Sequence, residues 1–363
     1  MLIAQDPHHQ LVNASQAGRQ IPYICPGCQG PVRLKRGSVM TAHFAHFRGS
    51  DCQVFSEGET HEHVTGKQQL AAWFAASGYS VQLEAGLTAL HQRPDLLVQT
   101  DVTPPLAIEF QCSPLSVTRL AARTQGYWRH GYQVLWILGQ PYQRKLRSTS
   151  KALKFLQYHP HWGIHLLFWQ VETASLQLIH HILTLDAEPL TYQHWSLKSA
   201  RQPVAAFQQF QPIVSNPTPP EEHLEHYHRQ LLLARLRHQH AFDDLQRYCY
   251  QRGGTIAQLP DWTIPRVPEL PLLTVPYLVW YGHVFGQLRQ EPTVITHERL
   301  QALLWTELQP LLARQACMRE QGTLHRQLLL AVTARLDQQH VIQRRGRDWA
   351  LNQAALKWEQ PKF

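Results

Sequence analysis

The sequence lacks any apolar run approaching the ~18 residues that a membrane-spanning helix needs. Its longest apolar stretches, at 134–138 and 164–169, have the length of strands. It also lacks a basic start followed by a long apolar segment, the mark of a secretory leader. The chain is therefore expected to be cytoplasmic, with no membrane partner. Cysteine is scarce, with six residues at 25, 28, 52, 112, 249 and 317. A reducing cytosol excludes a disulfide framework, so the cluster of three near the start reads as a metal site. Acid is the minority charge: 26 Asp+Glu stand against 34 Lys+Arg, a net charge of +8. That balance favours polyanionic partners, nucleic acid first. The 23 histidines are so many that a lone one carries little information. There is no internal repeat and no base-reading motif.

What is present is enough for a folded, multidomain chain. The 363 residues allow two or three domains, and 44% hydrophobic residues exclude global disorder. Residues 1–57 are short, turn-rich and Cys/His-bearing. Residues 58–185 alternate helical and strand patterns. Residues 186–220, rich in Pro and Gln, read as a linker, and 221–363 as a mostly helical domain. Within the second region the patterns predict a helix over 59–77, strands over 80–84, 93–99 and 106–111, and a helix over 116–130. A strand over 133–138, a short helix over 151–158 and a strand pair at 164–170 and 176–182 follow. Ser116 suits an N-cap, and Gly78 and Gly131 suit helix stops. This order predicts an α/β core with a mixed sheet. Farther on, helical patterns cover 221–252, 277–287, 297–314 and 319–338. The last runs into 341–351, which holds Arg344, Arg345, Gly346 and Arg347. A helix entering a basic hairpin suits a winged-helix-like end; a helical bundle with an exposed polar tail suits the same pattern.

Cys25-Pro-Gly-Cys28 is a knuckle whose two thiolates reach one ion, with Gly27 allowing the tight turn. His43, His46 and Cys52 follow. Structural Zn²⁺ takes four S/N ligands. Cys25, Cys28, His46 and Cys52 are the chosen set, with His43 the rival for one place. The role expected of the ion is to fold a segment too short for its own core.

The chemistry-bearing stretch is Arg93-Pro94-Asp95, followed by Ala107-Ile108-Glu109-Phe110-Gln111. Glu109 and Gln111 are i and i+2, so they share a strand face, with Ile108 and Phe110 on the other. Pairing of the two strands brings Asp95 beside Glu109. Two converging carboxylates repel unless a cation lies between them, and Mg²⁺ (or Mn²⁺) prefers such oxygen ligands. An ion at Asp95 and Glu109 would bind a scissile phosphate and activate water.

The Asp95…Glu109-x-Gln111 pattern resembles the PD-(D/E)xK nuclease superfamily, implying a restriction-endonuclease-like core. The departure is Gln111 in place of Lys, since a neutral amide lacks the point charge. Lys67 or Arg123 is available to replace it. More widely, CPGC, HFAH, HEHVTGK, RPDLLV, AIEFQCSPLS, RTQGYWRHGY and WILG, in that order over residues 20–185, resemble the competence protein CoiA family. The resemblance implies promotion of recombination of incoming DNA in natural transformation. The partners it implies are single-stranded DNA or recombination intermediates, together with recombination proteins. It also implies that Glu62 adds an acid to the metal site from the first helix, with Lys67 among the catalytic residues. His63, Arg123 and Tyr127 would contact DNA phosphate. Three functions are carried forward: an Mg²⁺-dependent deoxyribonuclease, a DNA-binding recombination factor with weakened catalysis, and a zinc-bearing adaptor.

Overall fold

The computed structural model describes every residue except 27, 38–41, 48–59, 100–103, 145, 147–149, 216, 238–239 and 363, and leaves out the side chains of 150 and 241. The chain divides into two units, Met1–His180 with Gln193–Pro212, and His181–Tyr192 with Ile213–Phe363.

The first unit opens with short strands β1 (Ile3–Gln5), β2 (Leu11–Asn13), β3 (Tyr23–Ile24), β4 (Pro31–Lys35) and β5 (His43–His46). They form an antiparallel sheet ordered β2-β1-β3-β4-β5. Its core is small: Met1, Ala4, Ala14, Ala17, Tyr23, Cys25, Val32 and Phe44. So little apolar area is a weak basis for stability on its own.

Helix α1 (His61–Ala76) follows. Thr60 caps it, its side chain accepting from His63 N at 3.2 Å, and Gly78 ends it at φ +90°. Its buried face carries Val64, Gly66, Leu70, Trp73, Phe74 and, unexpectedly among them, Lys67. Gly66 is required here, because a Cβ at that position would lie 2.2 Å from Phe110 Cε1. The helix thereby rests directly on the face of the sheet that Phe110 covers.

That sheet contains β6 (Ser80–Leu83), β7 (Leu96–Gln99) and β8 (Leu106–Gln111), antiparallel to one another in sequence. Helix α2 (Val117–Arg129) then crosses over so that β9 (Gln133–Leu138) lies parallel to β8, as a parallel pair demands. Ser116 caps α2 as the sequence suggests, accepting from Arg119 N at 3.2 Å. Next come α3 (Gln140–Gln143), β10 (Gln157–His159), β11 (Gly163–Gln170) and β12 (Ser175–Leu183). β13 (Thr191–Lys198) and α4 (Val204–Gln208) complete the region. The strand order is β13-β12-β11-β9-β8-β7-β6, with β10 paired to β11. The mixed α/β sheet expected from the sequence is thus present.

Three details differ from the sequence reading. Residues 151–158 are not one helix but a 3₁₀ turn, Ser150–Phe155, leading into β10. The stretch read as a linker contains β13 and α4, whose Leu197, Val204 and Phe207 join the core under α1. The long helix expected at 221–252 is broken into α5 (His223–Leu236) and α6 (Asp243–Tyr250). Asp243 and Asp244 open α6, where the helix dipole favours acids.

The second unit continues with α7 (Tyr277–Leu288), β14 (Val294–Thr296), α8 (His297–Leu308), α9 (Gln321–Gln338), β15 (Ile342–Arg345) and β16 (Asp348–Leu351). The last strands form a sheet ordered β14-β16-β15, so the mostly helical C-terminal region also holds a small antiparallel sheet. Buried polar groups fix its helices. Asp186 accepts from Tyr277 N and Leu278 N at 2.8 Å each, and Glu269 accepts from Arg335 and from Tyr281. Among the described residues no helix is long and apolar enough to cross a membrane.

Candidate functional site

Asp95 precedes β7, and β7 runs antiparallel to β8. The start of β7 therefore meets the C-terminal half of β8, where Glu109 and Gln111 lie. Asp95 Oδ2 accepts a hydrogen bond from Phe110 N at 2.8 Å, which holds the acid there. The same end of the sheet receives the end of β9 and Gly139, the N-cap of α3. C-terminal ends of parallel strands are where α/β sheets gather their functional groups.

Around Asp95 the side chains come from α1. His63 Nε2 lies 3.2 Å from Asp95 Oδ2, and its ring stacks on Phe110 at 5.9 Å. Lys67 Nζ lies 3.6 Å from Asp95 Oδ1 and 2.6 Å from Glu84 Oε1. Lys67 is only 1% exposed, and a buried ammonium needs such partners. Burial pushes the Asp95 carboxyl upward, but His63 and then Lys67 outweigh it and hold the group well below the usual carboxylate range.

Glu84 is the hub of this cluster. It pairs with Arg93 as well as Lys67. It also accepts from Leu2 N at 2.9 Å and Ile3 N at 3.1 Å. Burial raises its pKa, yet Lys67 and Arg93 together bring it down to about 2. Glu84 adopts a left-handed φ of +52° just past β6, which turns its side chain out of the strand register. The sequence reading gave no role to Glu84 or Arg93. A signal was present: Lys67 shares a helix face with Val64 and Leu70, so it had to be buried and to find a carboxylate.

Glu109, 4% exposed, turns to α2 instead. It accepts from Arg123 Nη2 and from Tyr127 OH. Arg123 and Tyr127 are i, i+4 and reach it together. Burial raises the Glu109 carboxyl; Arg123 opposes that, and the Asp95 charge pushes it up again. Arg123 Nη2 also donates to Arg93 O at 3.3 Å, linking the Glu109 group to the Asp95 group. Gln111 Nε2 donates to Ser113 O at 2.8 Å and Ser113 Oγ at 3.0 Å. Glu62 accepts from Gln140 N at 2.6 Å.

The structure thus brings His63, Lys67 and Asp95 together, and Glu109, Arg123 and Tyr127 together. The two groups adjoin through Phe110 and Arg93. Glu62 and Gln111 lie at the same sheet end, Glu62 bonded to Gln140 N and Gln111 to Ser113.

At the start of the chain, ligand atoms of Cys25, Cys28 and His46 all lie within 4.8 Å of one another, a group able to hold a metal ion. Cys28 Sγ is 3.4 Å from His46 Nε2, and Gly30 N points at Cys28 Sγ at 3.4 Å. The turn closes through Gln29 N to Cys25 O at 2.8 Å, with Gln29 at φ +59°. His43 and His46 sit three residues apart on β5, so they face opposite sides of the strand, and His46 is the one that joins the cysteines. Burial lowers the His46 pKa, which favours the neutral imidazole that ligates metals. Cys52 lies outside the described residues.

Fold and site together define a mixed α/β protein with a metal-capable Cys/His cluster and a buried network of paired acids and bases at one sheet end. Two family models match it. They are competence protein CoiA, nuclease-like domain, over residues 59–211, and competence protein CoiA, N-terminal domain, over residues 7–55. The chain belongs, through these residues, to the competence protein CoiA family. Competence protein CoiA of Bacillus subtilis (strain 168) is 31% identical over 153 residues, 42% of this chain and 38% of that protein. Druantia protein DruB of Escherichia coli (strain UMEA 4076-1) is 38% identical over 53 residues, 14% of this chain and 10% of that protein. The chain therefore spans less than half the length of the curated relatives it matches. No solved structure matches.

Proposed function

We propose that this protein processes DNA during competence, hydrolysing phosphodiesters with a divalent cation held by Asp95 and Glu109. The reading places a PD-(D/E)xK-type core in the nuclease-like domain. One observation carries it: the Asp95 bond to Phe110 N at 2.8 Å, which seats the first acid against the strand segment that holds Glu109 and Gln111. The donor chemistry fits Mg²⁺ or Mn²⁺, which take carboxylate oxygens. Asp95 is kept ionised, and Glu109 is dry. Each acid already faces a cationic side chain, Lys67 for Asp95 and Arg123 for Glu109. That is the electrostatic setting an ion would share or take over. The bound ion would supply Lewis acidity and a lowered water pKa. Lys67, held by Glu84 between α1 and the sheet, supplies the positive charge that Gln111 lacks. Arg123 and His63 are placed to meet phosphate oxygens, and Glu62 supports the end of β9.

The test is direct. Purified protein is incubated with single- and double-stranded DNA in Mg²⁺ or Mn²⁺ and, separately, in EDTA. Cleavage with metal and none with EDTA is expected. Intact DNA under every metal, with binding retained, would favour a second reading: a recombination factor that binds DNA on a nuclease-like fold without cutting it. The bonds of Glu109 to Arg123 and Tyr127, and of Gln111 to Ser113, support that alternative. DNA and recombination proteins are the partners proposed under either reading.

For the N-terminal cluster we propose a structural Zn²⁺ at Cys25, Cys28 and His46, with Cys52 as fourth ligand. The module's core is small, and a bound ion would contribute folding free energy directly. One zinc per chain is expected by elemental analysis of the purified protein, falling to none in Cys25→Ser. Full zinc content in that variant would remove Cys25 from the ligand set.

A further inference from the structure

The end of the second unit carries a pattern that the nuclease-like site does not use. In chain order it runs α7, β14, α8, α9, β15, β16, and its three strands pair as β14-β16-β15. β14 and β15 both lie antiparallel to β16. This is the topology of a winged helix: a three-helix cluster, a small sheet closed by the strand before the second helix, and a hairpin after the third. We infer that α9 and the hairpin β15–β16 form a binding element for double-stranded DNA, with α9 entering a groove and the hairpin turn lying along the phosphates.

Four observations carry the inference. First, the hairpin is built to project. Ile342, Trp349 and Leu351 are buried, and Trp349 Nε1 donates to His297 Nδ1 of α8 at 3.2 Å. Beyond these anchors, residues 343–347 are all exposed. Gly346 turns the chain at φ +62°, with nothing within 4 Å of where a Cβ would be.

Second, the projecting part is basic. Arg344, Arg345 and Arg347 occupy three of its four last positions, and Arg344 Nε donates only locally, to Gly346 O at 3.3 Å. Among the described residues none of the three is in an ion pair with a carboxylate. The acids nearby are few. Asp348 sits across from Arg345 and is half-buried. Glu298, on α8, feels Arg347 only as a minor influence. A stretch of exposed arginines creates a local positive potential that attracts a polyanion.

Third, α9 is held from behind and open in front. Leu324, Leu328, Val332 and Leu336 are buried, and Arg335 is tied to Glu269 and Tyr281. The opposite face presents Thr323, Arg326 and Gln327, then Leu330, Ala331 and Ala334, all exposed. Leu330 is the one large apolar side chain on this face, and its N-terminal half is polar. Arg and Gln there have the donors and acceptors that read base edges.

Fourth, the combination of a helix with a two-stranded ribbon fits the dimensions of a major groove and its flanking backbone, which a single strand does not offer. The inference therefore specifies duplex DNA as the partner of this element.

The test uses the full chain in EDTA, so that cleavage plays no part. Anisotropy of a labelled duplex of about 25 base pairs is compared for wild type, for Arg344→Ala/Arg345→Ala/Arg347→Ala, and for Arg326→Ala/Gln327→Ala. The triple variant, all at exposed positions, is expected to keep the wild-type circular dichroism. It is expected to lose at least about tenfold in duplex affinity and to flatten the salt dependence by about 0.9 for each phosphate contact removed. The α9 pair is expected to weaken binding without changing that slope as much. EDTA removes the cation on which hydrolysis would depend, so failure of the nuclease reading leaves this result untouched. Unchanged duplex affinity in the triple variant would overturn the inference. So would an equal loss for single-stranded DNA of the same length, or tighter binding of an RNA duplex than of DNA.

Discussion

Replacing Glu84 by alanine is expected to lower the unfolding free energy by about 3–5 kcal/mol, the range for removing one partner of a buried ion pair. The magnitude follows from what the change strands. Lys67 and Arg93, both buried, would lose their shared carboxylate, and Leu2 N and Ile3 N would lose their acceptor. An uncompensated buried charge costs several times what an exposed pair contributes. The acid dependence has a definite sign. The carboxyl is near 4.5 in the unfolded chain and about 2 in the fold. A depressed carboxylate contributes stability that is fully present above the unfolded value and is lost as pH falls through the folded one. Stability should therefore decline between about pH 4.5 and 2, and Glu84→Ala should lose that component. Urea unfolding of the two proteins across this range measures both effects. A loss under about 1 kcal/mol at neutral pH would mean that Lys67 and Arg93 find other partners.

The second large effect is on cleavage. Asp95→Asn and Glu109→Gln are each expected to reduce metal-dependent hydrolysis at least about 100-fold, since changes merely behind a metal's ligands already cost 10–100-fold. Asparagine keeps an oxygen for Phe110 N, so the strand contact survives while the charge does not. Glutamine at 109 keeps an acceptor for Tyr127. Both variants therefore remove charge from the site while leaving the backbone pairing of β7 and β8 intact. Product formation per unit time, under saturating Mg²⁺ and then Mn²⁺, is the readout. Wild-type rates in either variant would take that acid out of the reaction.

Much of the architecture was legible because it rests on local rules. β8 and β9 lie where the sequence patterns put them, at 106–111 and 133–138. Ser116 caps α2 because its hydroxyl outcompetes any other partner for the first free N–H groups. The site was legible in part. Asp95, Glu109 and Gln111 could be placed at one sheet end from strand pairing alone. Their side-chain partners His63, Lys67, Arg123 and Tyr127 are named from the resemblance, but which of them meets which acid depends on which helix covers which face. The sequence offers Lys67 or Arg123 in place of the missing lysine, and the structure holds Lys67 3.6 Å from Asp95. Yet its shorter bond is to Glu84, a residue seventeen positions on that periodicity marked only as the end of a strand. β13 escaped notice because its residues, Thr191–Lys198, are largely polar and only Leu197 is fully buried. β14 escaped because three residues give no period.

The bonds from Leu2 N and Ile3 N to Glu84 join positions more than eighty residues apart. During synthesis at about 5–20 residues per second, the acid emerges roughly 4–16 s after the amides it will bind. Through that interval the Leu2 and Ile3 amides lack this acceptor, whereas Lys67, seventeen residues before Glu84, waits only about 1–3 s for it. The N-terminal module and the sheet are thus expected to finish folding in a single late event on or just after the ribosome. Truncations that stop short of residue 84 should yield chains that are captured by chaperones rather than small folded domains.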